Sequence, residues 1–342
     1  MTDDARWMAA ALTLAARTRG RTAPNPNVGC VIVRDGRVVG RGWTQPSGRP
    51  HAEAMALAQA GEAARGATVY VTLEPCAHVS ARGPACADLL AASGVARVVA
   101  AIGDPDPRTD GHGFARLVAA EIAVETGVLA DEARRSMPGF LIRRALGRPH
   151  VTLKLALSLD GAVAMADGRS QWITGAEARA HTHLERSRHD AILVGRGTWE
   201  ADRPRLDVRL PGLEDRSPSK VVLSRTARQC ERSEAIQSST PDDLDRGASL
   251  AMTDVIYITA PEEIATLPAD HLFVEGGAAT AAAFLRAGLV DRLLLYRAPI
   301  LIGGGRTLPD IGLADLGEAH GRWTCTDRRQ LGSDRLEVYE RA

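Results

Sequence analysis

Residues that bind zinc well occur at suggestive spacings in the first third of the chain. His51 and Glu53 open a predicted helix, Cys76 follows a predicted strand, and Cys86 opens the next predicted helix. One His and two Cys are good zinc ligands, and three protein ligands leave a fourth position for water, as in catalytic zinc sites. Zinc lowers the pKa of that water towards neutrality, and Glu53, which is not itself a ligand, would relay its proton. The pattern predicts one catalytic zinc ion per chain.

The order of these residues is typical of zinc deaminases that act on nucleobases, whose signature is His-x-Glu followed by Pro-Cys-x-x-Cys. The chain departs from that signature because Cys76 and Cys86 lie ten positions apart instead of three, so the residues between them must loop out. A closed structural zinc site is disfavoured, since His78 is the only nearby candidate for a fourth ligand. An isolated His or Cys is more often a buried structural residue, and only the combination argues for a metal.

The second half offers a weaker signal for a phosphate-bearing ligand. Glu275, Gly276 and Gly277 stand at a predicted strand-to-helix junction, where bare backbone N–H groups and a helix N-terminus can bind phosphate. Gly195-Arg196-Gly197 fails as a dinucleotide fingerprint, because its third glycine would fall at Glu200. From these residues alone, a phosphate site and an ordinary turn both remain open.

The elements that would position these residues form an α/β pattern in each half of the chain. Its 342 residues suit two domains, and Gly147-Arg148-Pro149 is a plausible boundary between domains at 1–146 and 147–342. In the first half we predict strands at 28–34, 37–43, 67–73 and 97–102 and helices at 51–64, 86–93 and 129–146. In the second half we predict strands at 151–161 (with its turn), 190–195, 220–224, 255–259, 271–275 and 292–296 and helices at 175–187 and 277–287. The polar stretch 225–253 is interpreted as a surface insertion.

Composition narrows the class of protein further. The 42 basic and 42 acidic residues cancel, with 17 and 14 up to residue 146 and 25 and 28 after it. Neither half has the basic surplus that non-specific nucleic-acid binding needs. No apolar run reaches the roughly 18 residues of a membrane span, and the first 20 residues indicate a soluble first helix. Five scattered cysteines favour a reducing cytoplasm over a disulfide framework.

Motifs along nearly the whole chain, except about 211–253, resemble the bifunctional deaminase–reductase family of riboflavin biosynthesis. In the first half these are Thr22-Ala23-Pro24-Asn25-Pro26-Asn27-Val28-Gly29, Pro50-His51-Ala52-Glu53, Thr72-Leu73-Glu74-Pro75-Cys76-Ala77-His78 and Asp104-Pro105-Asp106-Pro107. In the second half they are Leu153-Lys154-Leu155-Ala156-Leu157-Ser158-Leu159-Asp160-Gly161, Ser170-Gln171-Trp172-Ile173-Thr174-Gly175, Asp190-Ala191-Ile192-Leu193-Val194-Gly195, Thr198, Asp202 with Pro204, and Val274-Glu275-Gly276-Gly277.

This resemblance implies a fold and a two-step activity. The N-terminal domain is expected to be a cytidine-deaminase-like three-layer α/β/α domain, and the C-terminal one an α/β domain similar to dihydrofolate reductase. The first would deaminate 2,5-diamino-6-ribosylamino-4(3H)-pyrimidinone 5′-phosphate. The second would reduce the ribosyl group to ribityl with NADPH. The expected partner is therefore a small phosphorylated pyrimidine, with no nucleic acid and no membrane, and a homo-oligomer is left open.

The resemblance also assigns site residues. Those expected at the NADPH site are Ala156, Trp172, Thr198, Asp202, Gly276 and Gly277. Those expected to contact substrate are Asn25, Ser170, Arg186, Leu206, Arg209 and Glu275. Arginine suits a phosphate because its guanidinium donates two parallel hydrogen bonds. Asn25 is equally well explained as a turn residue before proline.

Lys154 is added to the substrate contacts on a further argument. The chain has 40 arginines and only two lysines, Lys154 and Lys220, so a lysine within a predicted strand of the reductase half is unusual. An ammonium is not interchangeable with a guanidinium. We predict that Lys154 contacts the substrate or its carbonyl oxygen, the alternative being a lysine at a strand edge.

Three departures from the family pattern concern the pyrimidine pocket. The family usually has one residue fewer between the two cysteines, a His at Thr44 and an Asn at Asp106. Two other functions compete with the leading one. A nucleic-acid or nucleoside deaminase with an appended, non-catalytic nucleotide-binding domain would need a basic strand-binding groove. A zinc-stabilised binding module would release no ammonia.

Overall fold

The computed structural model describes residues 3–78, 83–224 and 255–342. Contacts divide the chain into two compact units, Met1–Gly147 and Arg148–Ala342. The predicted insertion at 225–253 lies outside the described residues, as do residues 79–82 of the loop predicted between the cysteines. No helix in the described ranges is long and apolar enough to cross a membrane.

The first unit is built on a five-stranded mixed sheet. Its strands are β1 (Gly29–Arg34), β2 (Arg37–Trp43), β3 (Thr68–Val71), β4 (Arg97–Ala100) and β5 (Ala123–Thr126). Its helices are α1 (Asp3–Ala15), α2 (Ala52–Ala60), α3 (Cys86–Ser93), α4 (His112–Ala119), α5 (Ala130–Ser136) and α6 (Pro138–Leu146). The strand order is β2-β1-β3-β4-β5, in which β1 is antiparallel to both neighbours and β3, β4 and β5 are parallel.

Two glycines let helices approach opposite faces of this sheet. A Cβ on Gly29 would lie 1.9 Å from the carbonyl oxygen of Ala11 in α1, and a Cβ on Gly42 would lie 2.0 Å from that of Ala52 in α2. Gly42 pairs with Cys30, the neighbour of Gly29, so the two close approaches are on different faces. Helix α2 contacts α3 and α3 contacts α4, whereas α1 contacts α5. The unit therefore has helices on both sides of the sheet, in three layers.

The predicted elements of the first half are largely confirmed, with one correction. Strands β1 and β2 form a hairpin. It turns at Asp35 and Gly36, both with positive φ, which is typical of an Asp-Gly turn. The helix predicted at 129–146 is wrong as a single element, because it is interrupted at Met137 before Pro138. Proline has no N–H and disfavours helical backbone in the preceding residue. Helix α4 and strand β5 were not predicted.

The second unit contains an eight-stranded sheet within its described residues. The strands are β6 (His150–Leu157), β7 (Ala191–Gly195), β8 (Ser219–Leu223), β9 (Val255–Ile258), β10 (His271–Val274), β11 (Arg292–Arg297), β12 (Trp323–Leu331) and β13 (Asp334–Arg341). The helices are α7 (Ala176–Arg186), α8 (Arg196–Asp202) and α9 (Ala278–Arg286). The order is β12-β13-β11-β6-β10-β7-β8-β9.

Parallel pairing brings the carboxyl ends of the central strands to one edge of this sheet. Strands β6, β10 and β7 are adjacent and parallel, so the chain leaves them side by side after Leu157, Val274 and Gly195. Apolar side chains fill both faces, with Phe284 of α9 on one and Ala178 of α7 on the other. The hairpin β12–β13 was missed by the sequence prediction because charged residues occupy much of it. Edge strand β12 shows no more than half-burial along its length.

Candidate active sites

Three side chains of the first unit converge on one point. His51 stands just before α2, Cys86 is the first residue of α3, and Cys76 lies in the segment after β3. The Nδ1 atom of His51 is 3.3 Å from the Sγ atom of Cys86 and 3.5 Å from that of Cys76. The backbone N–H of Cys86 donates to the Sγ atom of Cys76 over 3.3 Å. His51 and Cys86, 35 positions apart, come together because α2 and α3 begin at the same end of the sheet.

Glu53 lies beside this cluster in the first turn of α2 and is 3% exposed. Burial raises the pKa of its carboxyl to about 7. The charge of Cys76 also raises this pKa, whereas that of His51 lowers it. A hydrogen bond from the Cys86 thiol lowers the pKa of Cys76, while the pKa of Cys86 is raised by the same bond. The site therefore favours one thiolate next to a carboxyl group that can hold or release a proton near neutral pH.

The donor set fits zinc. One imidazole nitrogen and two thiol sulfurs, all within 4.8 Å of one another, form the group, and these are zinc-type ligands. Among the described residues no other His, Cys, Asp or Glu joins it, and residues 79–82 are Val, Ser, Ala and Arg. His78 instead places its Nδ1 atom 3.5 Å from the Thr109 hydroxyl. A three-ligand set leaves room for a water or substrate ligand, as the sequence predicts.

The positions where the chain departs from the family pattern are tied into the first unit. The Thr44 hydroxyl accepts the N–H of Val28 over 3.0 Å. The Asp106 carboxylate pairs with Arg108 at 2.7 Å and with Arg144 at 2.9 Å, and hydrogen bonding to Arg108 lowers its pKa to about 2. Two arginines thus offset the charge that Asp106 brings where the family has an Asn.

The Asn25 amide, predicted to contact substrate, donates to the Gly48 carbonyl over 3.0 Å. This bond occupies a donor of the side chain, and a substrate contact for Asn25 stays a prediction.

In the second unit, Arg186 and Glu275 form a nearly buried ion pair. The Arg186 Nε atom donates to Glu275 Oε1 over 2.5 Å, and Nη2 donates to Oε2 over 3.0 Å. Their side chains are 12% and 9% exposed. Burial alone would raise the pKa of Glu275, but Arg186 and Lys154 outweigh it and hold that pKa below its ordinary value. Burial lowers the pKa of Lys154, and Glu275 opposes this. The structure therefore brings three of the predicted substrate contacts together.

Two other predicted substrate contacts, Leu206 and Arg209, flank Asp207 in the sequence, and the backbone of Asp207 contacts this group. Its carbonyl oxygen accepts from the Nη1 atom of Arg186 over 2.9 Å, and the Arg209 N–H donates to the Nδ1 atom of His183 over 3.3 Å. Leu206 is buried and has a φ of 55°, an uncommon backbone conformation for a non-glycine residue. Ser170 is exposed on the loop before α7, and its substrate contact stays a prediction.

The predicted cofactor residues are distributed around the carboxyl edge of the sheet. Gly276 and Gly277 lie between β10 and α9. A Cβ on Gly277 would lie 3.7 Å from the Thr198 hydroxyl of α8, so α8 and α9 begin close together there. Bare backbone at a helix N-terminus can bind phosphate, and the NADPH contact of these two glycines stays a prediction. Ala156 lies near the end of β6.

Two further predicted cofactor residues are more exposed. Asp202 is the last residue of α8. The Trp172 ring is 65% exposed, with the Arg179 guanidinium carbon 4.9 Å from its centre. Neither observation tests a cofactor contact, so both roles stay predictions.

Comparison with known proteins decides the family. A family model described as the RibD C-terminal domain matches residues 149–336, and the cytidine and deoxycytidylate deaminase zinc-binding region matches residues 1–102. The riboflavin biosynthesis protein RibD of Escherichia coli K12 is 42% identical over 97% of this chain and 97% of its own length. That of Aquifex aeolicus is 37% identical over 92% of each. The chain belongs to the RibD family.

Solved RibD structures agree along the whole chain. Acinetobacter baumannii RibD has a TM-score of 0.85 and 36% identity, covering 99% of both chains. A Thermotoga maritima protein described as a diaminohydroxyphosphoribosylaminopyrimidine deaminase/5-amino-6-(5-phosphoribosylamino)uracil reductase has a TM-score of 0.83 and 30% identity, covering 99% of both chains. The predicted fold class, a deaminase-like domain followed by a RibD reductase domain, is confirmed.

Membership of the RibD family confirms the predicted activity. The chain is a bifunctional deaminase and reductase of riboflavin biosynthesis, and its cofactors are zinc and NADPH. A nucleic-acid deaminase with a non-catalytic second domain is not favoured by these comparisons.

Two carboxylates that were not among the predicted site residues fix loops, one in each unit. Glu74 binds four backbone N–H groups beside the zinc ligands. Asp160 binds the N–H groups of Ile302 and Gly303, which fixes the glycine-rich loop that follows β11. Both stand inside motifs that carry the family resemblance, and this was the only signal in the sequence that could have found them.

Proposed function

We propose that residues 1–146 form the zinc-dependent deaminase domain and residues 147–342 the NADPH-dependent reductase domain. The substrate we propose is 2,5-diamino-6-ribosylamino-4(3H)-pyrimidinone 5′-phosphate, followed by reduction of the deaminated product. The observation that carries the first half is the convergence of His51, Cys76 and Cys86 within 4.8 Å, with Glu53 buried beside them. The matched relatives support the order of the two steps.

In the deaminase domain, His51, Cys76 and Cys86 would hold zinc. When bound, zinc supplies a Lewis acid that makes a coordinated water nucleophilic near neutral pH. Glu53 takes a proton from the attacking water at its carboxylate and passes a proton to the amino nitrogen, which leaves as ammonia. The burial that raises the pKa of Glu53 to about 7 makes both directions of this transfer accessible.

In the reductase domain, Ala156, Trp172, Thr198, Asp202, Gly276 and Gly277 would bind NADPH, which supplies the hydride. Asn25 would hold the pyrimidine in the deaminase domain. Ser170, Leu206, Arg209 and Glu275 would contact the substrate of the second step. Arg186 is held by Glu275 and by the Asp207 carbonyl, so its guanidinium is oriented before the substrate arrives. Lys154, next to Glu275, would donate a hydrogen bond to the substrate.

We further propose a cytoplasmic enzyme that acts on a small phosphorylated pyrimidine and needs no nucleic-acid partner. The nearly balanced charge of both halves supports the absence of a nucleic-acid partner.

A coupled assay tests the assignment. The diaminopyrimidine phosphate is supplied with NADPH, and ammonia release and NADPH oxidation are followed separately. Glu53→Ala should abolish both signals on this substrate but keep NADPH oxidation on the already deaminated compound. Glu62→Ala, which alters an exposed carboxylate of the same domain, is the matched control and should keep both. Ammonia release by Glu53→Ala at the wild-type rate would contradict the role of Glu53.

A further inference from the structure

The most densely hydrogen-bonded carboxylate near the zinc ligands is Glu74, which is 3% exposed. Its Oε1 atom accepts the N–H groups of Gly113 over 2.9 Å and Phe114 over 3.2 Å. Its Oε2 atom accepts those of Asp104 over 3.2 Å and Gly111 over 3.1 Å. The donors lie 30 to 40 positions away in sequence, so the carboxylate joins two distant parts of the deaminase domain.

One of these parts is the start of α4. The first N–H groups of a helix have no partner within the helix and are usually capped by a nearby side chain. Gly111 precedes α4 and makes no side-chain cap. The Oε1 atom of Glu74 takes that role from outside the helix, and its negative charge is also favoured at a helix N-terminus.

Two more contacts lock the same loop onto the segment that carries the ligand Cys76. A Cβ on Gly113 would lie 2.0 Å from the Pro75 carbonyl oxygen, so only glycine permits this approach. The Thr109 hydroxyl accepts the N–H of Ala77 over 3.5 Å. Residues 104–114 and 74–78 are therefore packed as one body.

We propose that Glu74 is a positioning residue of the deaminase, which holds the Cys76 segment and the 104–114 loop in a fixed relation. This rests on the proposed assignment of deamination to the first domain. The loop contains the Asp104-Pro105-Asp106-Pro107 run, so loss of Glu74 would let this run and the segment of the metal ligand Cys76 shift relative to each other. Glu74 touches neither substrate nor metal in this role and acts through the backbone that it binds.

Only a carboxylate can do this. Each of its oxygens accepts two N–H groups, and a carboxylate has acceptors alone. A glutamine has the same shape, but its amide NH2 would have to face either the Gly113–Phe114 pair or the Asp104–Gly111 pair, donor against donor. Glu74→Gln should therefore lose the hydrogen bonds to one of these two pairs of N–H groups, while the side-chain volume stays the same.

The test compares Glu74→Gln with wild type in the full chain. We expect kcat/KM for ammonia release to fall by about 10- to 100-fold, as for partners that orient metal ligands, with most of the loss in kcat. Zinc should also pass more readily to a competing chelator, by about tenfold. NADPH oxidation on the deaminated compound should stay within about twofold, since the reductase site lies in the other unit.

Asp88→Asn is the matched control, because Asp88 binds Arg116 of the same helix α4 through an exposed pair at 2.9 Å. It should leave all three readouts unchanged. A Glu74→Gln protein with lowered melting temperature but wild-type kcat and zinc retention would show a merely structural role and overturn the proposal. If Glu74→Gln does not fold, Glu74→Asp, which keeps an acceptor-only group one methylene shorter, gives the same comparison. Failure of the proposed function is separate, since it would appear in Glu53→Ala.

Discussion

At the scale of single residues, Lys154 lies beside a carboxylate that is already paired. Lys154 lies in β6 with its Nζ atom 5.8 Å from the centre of the Tyr296 ring, and it is electrostatically coupled to Glu275. Both oxygens of Glu275 are already engaged by Arg186. An arginine at position 154 would therefore find both Glu275 oxygens already bound. Its guanidinium is also larger than the ammonium group that it replaces.

We expect Lys154→Arg to lower the reductase kcat/KM at least tenfold. Deamination should be unaffected, because the substitution lies in the other unit. The measurement is NADPH oxidation with the deaminated compound, alongside ammonia release from the diaminopyrimidine. Ammonia release, measured on the same preparation, is the internal control for correct folding. Full reductase activity in Lys154→Arg would refute the substrate contact.

Asp104 gives a prediction of pH dependence. Burial raises the pKa of its carboxyl from 3.8 to about 6. The folded state therefore favours the protonated carboxyl. As the pH rises from about 4 to about 6, Asp104 lowers the free energy of unfolding, and above about pH 6 this loss no longer grows. Asp104→Asn keeps an oxygen to accept the Asp106 N–H, a bond of 2.9 Å, without the charge.

We expect Asp104→Asn to raise the melting temperature of the first unit by a few degrees at pH 7.5, and by much less at pH 4.5. Thermal unfolding of variant and wild type at both pH values measures the difference. Asp88→Asn, at an exposed carboxylate, should change neither. A gain of equal size at the two pH values would show that the charge of Asp104 is not its cause.

At the scale of elements, a helix in each unit is capped by a carboxylate far away in sequence. Glu74 caps α4, and Asp334, at the start of β13, accepts the N–H of Gly175 over 2.6 Å at the start of α7. Gly175 itself makes no side-chain cap. Since Arg186 is the last residue of α7, the cap at one end of this helix helps to fix a predicted substrate contact at the other.

Asp334→Ala should therefore destabilise the second unit. Asp334 is 1% exposed, and loss of a cap costs about 1 kcal/mol, which lowers the melting temperature of a unit of this size by about 2–4 °C. Thermal unfolding followed by circular dichroism measures it. Asp327→Asn on the exposed strand β12, whose carboxylate pairs only locally with Arg329, should leave the melting temperature unchanged. An equal drop in both variants would argue against the cap.

At the scale of the whole molecule, the two sites lie in separately packed units. The zinc-type ligands all belong to the first unit, whereas the residues proposed to bind NADPH all belong to the second. Removal of zinc should therefore affect one activity and spare the other.

We expect chelation of zinc from the full chain to abolish ammonia release and to leave NADPH oxidation on the deaminated compound within about twofold. Restoring zinc should restore deamination. The two activities are assayed on the same chelated sample, so the reductase serves as the internal control. Parallel loss of both would mean that zinc supports the second unit as well.

Several features could be predicted from the sequence because they depend on neighbours in the chain. The sequence predicts His51, Glu53 and Cys86 at the starts of helices and Cys76 after a strand. The structure has them in these places. The break before Pro138 is equally local, because proline disfavours helical backbone in the residue before it. The hairpin β12–β13 gave no such signal, since an edge strand has little apolar face to bury.

Much of the chemistry of this protein can be predicted from its sequence: a zinc-type donor set with a neighbouring acid, two α/β halves and a family resemblance along the chain. Those properties follow from residue types and short spacings. In contrast, Glu74 and Asp334 cap helices of distant segments, and Glu275 pairs with Arg186, only once the chain has folded. Such contacts depend on how layers pack, because the partners lie dozens of residues apart and nothing local identifies them.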